Sequence, residues 1–265
     1  MRLAISNIAW NVAEDEGVAQ LLRRYQVDAI DIAPGKYFAQ PGQATAADVL
    51  RVKDWWHNRG IEITGMQALL FGTTGLNVFG TTESQEALLD HMDGVCRIGA
   101  RLGATRLVFG SPKNRDRSGL NEEQTMAVAT AFFRRLGVIA DSHGVLICLE
   151  PNPTCYGANF MTTAEETAQV VSQIDQPAIR MQFDSGALTI NQEDPAKVLL
   201  RSAHWVGHIH ASEPGLLPLG DAQCAPPGRT DHGTMCKALL QHFLQAQVVS
   251  IEMLATPHEP HLLSI

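Results

Sequence analysis

Val145-Leu-Ile-Cys-Leu-Glu150 is a short apolar run that stops on a carboxylate. Three later runs end in a similar way. Ile179-Arg-Met-Gln-Phe-Asp184 closes on Asp, Trp205-Val-Gly-His-Ile-His210 on His, and Val248-Val-Ser-Ile-Glu252 on Glu. Upstream, further β-rich runs fall at 2–9, 27–32, 61–66 and 105–110. Between the runs lie segments of helical period, at 14–25, 45–59, 84–102, 121–142, 163–175, 194–203 and 231–246. Strands that alternate with helices imply a parallel sheet. Eight such strands in a chain of 265 residues predict a closed (β/α)8 TIM barrel, which needs roughly 250 residues and has no free sheet edge. The whole chain, 1–265, is read as one domain. About a dozen residues follow the last strand, Pro257 and Pro260 among them. The final helix is therefore expected to be shortened or missing, with a terminal segment or a second copy of the chain covering that flank, which points to a homodimer.

Composition narrows the function. Apolar residues make up 45% of the chain, and the net charge is −8. An acidic balance disfavours nucleic-acid binding, which rests on basic surface. No apolar run is long enough to span a membrane. Five cysteines, Cys96, Cys148, Cys155, Cys224 and Cys236, make an odd set without a C-x-x-C pair. That pattern fits a reducing, cytoplasmic setting better than a disulfide framework. The first residues read as a strand, not as an export signal.

Alternation along the four terminal runs sets their direction. Val145, Ile147 and Leu149 form an all-apolar set that should face the helices, which turns Glu150 toward the barrel axis. The same parity sends Ile179, Met181 and Phe183 outward, with Gln182 and Asp184 inward. It sends Gly207 and Ile209 outward, with His208 and His210 inward, and Val249 and Ile251 outward, with Ser250 and Glu252 inward. Three carboxylates and an imidazole thus converge on one mouth, and neither a run of arginines nor a lysine lies at a neighbouring strand end. Enclosed carboxylates without a counter-charge take up protons or bind a cation. Three oxygen ligands and one imidazole suit one divalent ion, Mn²⁺ first, with Mg²⁺, Co²⁺ or Zn²⁺ also fitting. Each group taken singly could equally be a satisfied structural polar residue; the convergence of four is the argument.

The motifs Leu149-Glu-Pro-Asn-Pro153, Gln182-Phe-Asp-Ser-Gly186, Gly207-His-Ile-His-Ala-Ser-Glu-Pro214 and Ser250-Ile-Glu-Met253 resemble the xylose isomerase-like barrel superfamily. That group includes ketose 3-epimerases, hydroxypyruvate isomerase, inosose isomerases and dehydratases, proteins called sugar phosphate isomerase/epimerases and, more distantly, endonuclease IV. The resemblance implies Glu150, Asp184, His210 and Glu252 as metal ligands. It also implies Glu150 and Glu252 as the pair that moves a proton through an enediolate of a sugar-like substrate. The chain departs from the ketose 3-epimerases at Ala187, at Tyr156 and in Ser212-Glu-Pro-Gly-Leu-Leu-Pro218, where their histidine, glutamate and arginine are missing. An isomerase or epimerase of a small sugar, sugar phosphate or keto-polyol is the leading expectation. A dehydratase of a cyclic keto-polyol, an endonuclease IV-like nuclease and a non-catalytic sugar-binding barrel are the alternatives.

Substrate contacts are expected from Asn152 and Tyr156 on the rim after the fifth strand, His208 one layer below His210, His232 beyond the long seventh loop, and Trp10 after the first strand. Each has a structural reading beside it: a turn residue for Asn152, a core residue for Trp10, and a bond to a neighbouring strand for His208. Asp231 is expected to cap its helix. Asp31 ends strand two and offers a polar contact. Lys113, Arg115 and Arg117 are read as a solvated charged loop.

Overall fold

The structure, a computed structural model, describes residues 1–220, 228–243 and 247–255. Eight strands are present: β1 (Arg2–Ser6), β2 (Ala29–Ile32), β3 (Glu62–Met66), β4 (Arg106–Phe109), β5 (Leu146–Leu149), β6 (Ile179–Asp184), β7 (Val206–Ser212) and β8 (Val248–Glu252). They pair in parallel and in chain order, and β8 returns to β1, closing the barrel. The helices are α1 (Asp15–Arg24), α2 (Ala46–His57), α3 (Thr82–Leu102), α4 (Glu122–Ser142), α5 (Ala164–Ile174), α6 (Ser185–Asn191), α7 (Pro195–Ser202) and α8 (His232–His242). The (β/α)8 fold expected from strand–helix alternation is therefore the fold adopted. The expected shortening or loss of a helix after β8 concerns residues 256–265, which lie outside the described residues, as does Cys224. Among the described residues no helix is long and apolar enough to cross a membrane.

Burial follows alternation. Leu107, Phe109, Ile147, Leu149, Ile179 and Met181 join the large core between sheet and helices. Phe183, Ile209 and Val249 pack with Leu188, Leu199 and Leu239 in a second, smaller core under α6, α7 and α8. The inner face is polar instead: Ser6, Asp31, Gln182, His208, His210 and Ser250 are all buried. Asn121 caps α4 by a reciprocal capping box with Gln124.

Three details depart from the sequence reading. β1 stops at Ser6 and the chain turns at 7–9, shorter than the run at 2–9. Two helices, not one, connect β6 to β7. The first, α6, is only 7 residues long and contains Gly186, so its helical period is too brief to register. Gly207, which strict alternation would point outward, sits at a register shift: Met181 pairs with Val206, yet Gln182 pairs with His208. The extra residue faces inward. A Cβ on Gly207 would lie 2.7 Å from Arg180 Cβ and 2.9 Å from Cys148 Sγ, two side chains of the inward set. This bulge lets His208 and His210 both reach the axis.

The bulge makes a stability prediction. Gly207→Ala should cost about 1–3 kcal/mol through overpacking against Arg180, seen as a lower urea midpoint with an unchanged slope.

Candidate metal centre at the barrel mouth

Four strand ends bring Glu150, Asp184, His210 and Glu252 together, with donor atoms all within 4.8 Å of one another. All four are largely withdrawn from solvent: the His210 ring has no exposure, and Glu150, Asp184 and Glu252 retain 13%, 7% and 10% of their side-chain surface. Each carboxylate is held by one oxygen and presents the other. Asn152 Nδ2 donates to Glu150 Oε2 at 2.9 Å, while Oε1 lies 3.9 Å from His210 Nδ1. Asp184 Oδ1 accepts from the Ala187 amide at 2.6 Å and from the Ser212 hydroxyl at 3.0 Å, while Oδ2 lies 4.0 Å from the same nitrogen. Gln67 Nε2 donates to Glu252 Oε1 at 2.6 Å, and Oε2 stands 3.3 Å from His210 Nδ1.

The local sequence explains each clamp. Asp184 ends β6 and is at once the N-cap of α6. Ser212 shares the inward parity of His208 and His210 at the end of β7. Gln67 follows β3 directly. The Glu150 carboxylate also needs room just past β4: a Cβ on Gly110 would fall 1.8 Å from Glu150 Oε2, so only glycine leaves that space.

Electrostatics show what the arrangement lacks. Burial, then the negative charges of Glu252 and Asp184, push the Glu150 carboxyl up to about 8. Burial and Glu252 push Asp184 to about 6. Burial disfavours a charged His210 ring, but Glu252 and the other two carboxylates outweigh it and raise the ring to about 9. Burial acts upward on Glu252 too, yet His210 and Gln67 bring its carboxyl below the ordinary range. Protons therefore stand where positive charge is wanted. Neither ring nitrogen of His210 makes an aligned hydrogen bond with any described residue. A buried imidazole with no aligned hydrogen bond, facing three carboxylate oxygens, fits a divalent cation: neutral nitrogen and hard oxygens are the donor set such ions take.

The surroundings were only partly visible in the sequence. Arg115 is a correction. It is wholly buried rather than solvated, and its Nη1 donates to the Glu150 main-chain oxygen at 2.7 Å. A cation thus does stand beside the fifth strand end, reached by a turn in the loop after β4. Burial lowers Arg115 to about 10, against the pull of Glu150 and Glu166. Below the mouth, His208 Nε2 meets Asp31 Oδ2 at 2.8 Å, both side chains being buried. The strand-to-strand bond is thus the one His208 makes, and its ring centre lies 5.0 Å from that of His210. Asp31, His208 and His210 are also close enough to share an ion, but Asp31 and His208 already satisfy each other.

The other expected contacts divide. Asn152 and Tyr156 line a cavity of about 260 Å³ with Glu150, Asp184, Ser212 and Glu252. Trp10 does not line the mouth. It is buried under the wall, donating to Asp15 Oδ1 at 2.7 Å and packed edge-on against Trp56, because the chain turns in after Ser6. His232 bonds Glu213 Oε1 at 3.0 Å. Glu213 itself is buried and also accepts the Gly220 and Thr230 amides at 2.9 and 2.6 Å, so this pair shapes the loop after β7. Asp231 caps α8 through the Thr234 amide, as expected.

Residues 19–262 match the family described as xylose isomerase-like TIM barrel. The chain belongs to that family. Among solved structures it is similar to D-psicose 3-epimerase from Clostridium cellulolyticum H10 with D-tagatose, at 16% identity and a TM-score of 0.78, covering 98% of this chain and 87% of the other. It is similar to 3-keto-D-glucoside 4-epimerase from E. coli, at 16% identity and a TM-score of 0.77, covering 100% and 97%. It is also similar to the IolI protein with a bound zinc atom, at 15% identity and a TM-score of 0.73, covering 100% and 95%. At these identities the likeness is one of fold. Comparison with curated protein sequences gives no match. Within the xylose isomerase-like barrels, the chain is thus assigned by a match over residues 19–262 and not by one motif.

Two measurements follow from the site. Carboxyls and an imidazole with raised folded values favour the native state at low pH and lose that contribution as pH climbs through about 6, 8 and 9. Cation-free protein should therefore melt lower as pH rises over that window. Added Mn²⁺ should raise the melting temperature more at about pH 9 than at about pH 6, with protons released on binding; a shift that shrinks with pH would contradict the assignment. Gln67→Ala, which frees Glu252 Oε1, should weaken Mn²⁺ binding about tenfold to a hundredfold in calorimetric titration.

Proposed function

We propose that the chain is a divalent-metal-dependent isomerase or epimerase of a small sugar, sugar phosphate or keto-polyol. Mn²⁺ is the favoured ion, and Glu150, Asp184, His210 and Glu252 are its ligands. A reducing cytoplasm suits the four described cysteines, all of which are free thiols. The observation that carries the reading is the pair Glu150 and Glu252. Each has one oxygen fixed by an amide and the other turned into the mouth, and both border the cavity.

A divalent ion bound there supplies Lewis acidity where substrate oxygens gain negative charge. The rest falls to the chain's own residues. One glutamate takes the proton from a carbon next to the carbonyl, and the other returns a proton to that carbon or its neighbour. Asn152 and Gln67 keep the two carboxylates oriented, so that little reorganisation accompanies the transfer. Ser212 and the Ala187 amide hold Asp184, which leaves it a ligand rather than a base. Asn152 and Tyr156 stand on the rim where substrate hydroxyls arrive.

Wash-in of solvent deuterium tests this. Mn²⁺-loaded protein, offered a panel of ketoses and keto-polyols in D₂O, should place deuterium at carbon next to the carbonyl of the accepted member, with no change in product mass beyond the isotope. Glu150→Gln and Glu252→Gln should each slow exchange by about a hundredfold or more. Loss of water from the product would reassign the chain as a dehydratase, and full exchange in Glu150→Gln would remove the proton-transfer role.

A further inference from the structure

The mouth has a second lobe. It joins the first through Glu150, Leu216 and Glu252, has a volume of about 470 Å³, and is bordered by Ile8, Leu70, Phe71, Val108 and Leu254. Apolar side chains dominate its wall away from the glutamates. Besides the glutamates, three polar side chains border it, and each is engaged with an acceptor of the protein. The Lys36 ammonium donates to the Asn7 backbone oxygen at 2.6 Å and to that of Trp10. Gln67 Nε2 is taken by Glu252 and the Ser111 hydroxyl by Asn114 Oδ1 at 2.6 Å. Away from the two glutamates, Ile8, Leu70, Phe71, Val108 and Leu254 give a sugar hydroxyl no hydrogen-bond partner in place of water, which is costly.

The rim carries apolar surface that solvent does not favour. Phe71, in the loop after β3, is 85% exposed, and Leu254, just past β8, is 50% exposed. Leu216 comes from the loop after β7, whose backbone oxygen accepts the Leu254 amide at 2.8 Å. Three loops thus place large apolar side chains around one opening beside the glutamates, where a ligand tail would cover them.

We infer that the substrate is amphipathic: a hydroxy-ketone head at the four-residue cluster and an aryl or alkyl substituent in the second lobe, as in a keto-sugar bearing an apolar aglycone. The inference rests on the hydroxy-ketone reading of the site and adds the tail.

Three probes with one head separate the possibilities. Hydroxyacetone carries a methyl group, phenacyl alcohol a phenyl ring, and D-erythrulose a polar tail. In titrations of Mn²⁺-loaded protein, phenacyl alcohol should bind about tenfold or more tightly than hydroxyacetone, and D-erythrulose no more tightly than hydroxyacetone. Phe71→Ala should cut the phenacyl-to-hydroxyacetone affinity ratio severalfold. Since Phe71 is largely exposed, its loss should leave the melting temperature unchanged. The amphipathic reading is overturned if D-erythrulose equals or surpasses phenacyl alcohol, or if Phe71→Ala leaves the ratio intact. Hydroxyacetone binding that ignores Mn²⁺ would count against the metal-dependent function alone, because the ratio still reports the lobe. Failure of all three probes to bind would remove both.

Discussion

Mutual repulsion among three enclosed carboxylates is the constraint to which the upper half of this barrel answers. Each acid on its own would be an expensive side chain to bury. Together they are tolerable because each is tied down at one oxygen by an uncharged donor, Asn152, Gln67 or the Ser212 and Ala187 pair. The ties leave charge unneutralised at the centre, and His210, lodged among the remaining oxygens, takes a proton there. The site is built so that positive charge is the missing ingredient, whether protons or a metal ion supply it.

The layers below and around this centre serve the same end. Asp31 and His208 form a self-contained pair one step down the axis, so that layer adds no uncompensated charge beneath the mouth. Arg115 approaches from the other side and grips the backbone of Glu150 rather than its carboxylate. It therefore brings positive charge near without capping the oxygen that faces the centre. The barrel strands contribute the reactive groups, and the loops contribute the donors that hold them, a division of labour usual for this architecture.

How much of this the chain announces in advance depends on the range of the physics involved. Strand parity is local, so the inward direction of Glu150, Asp184, His210 and Glu252 could be read residue by residue, and the closed parallel barrel followed from counting strands. Gly207 escaped because a bulge is a relation between two strands, and nothing within 206–212 alone marks the extra residue. α6 escaped because seven residues with a glycine hold too little period. Arg115 looked like an ordinary loop charge, since its burial depends on how the loop after β4 folds over β5. Gln67 and Asp31 lie 185 and 177 residues from the partners they serve, a separation no spacing rule spans. Ser212, by contrast, carried a usable signal: it continues the inward series of His208 and His210.

Asp184 carries a consequence of its own. One oxygen closes the first turn of α6 while its twin looks toward the centre, so the start of a helix and the occupancy of the mouth share a single side chain. Whatever orders one must order the other, and by reciprocity the coupling runs equally in both directions. The short, glycine-containing α6 is therefore tied to the mouth through one carboxylate, while Leu188 roots it in the apolar footing it shares with α7 and α8.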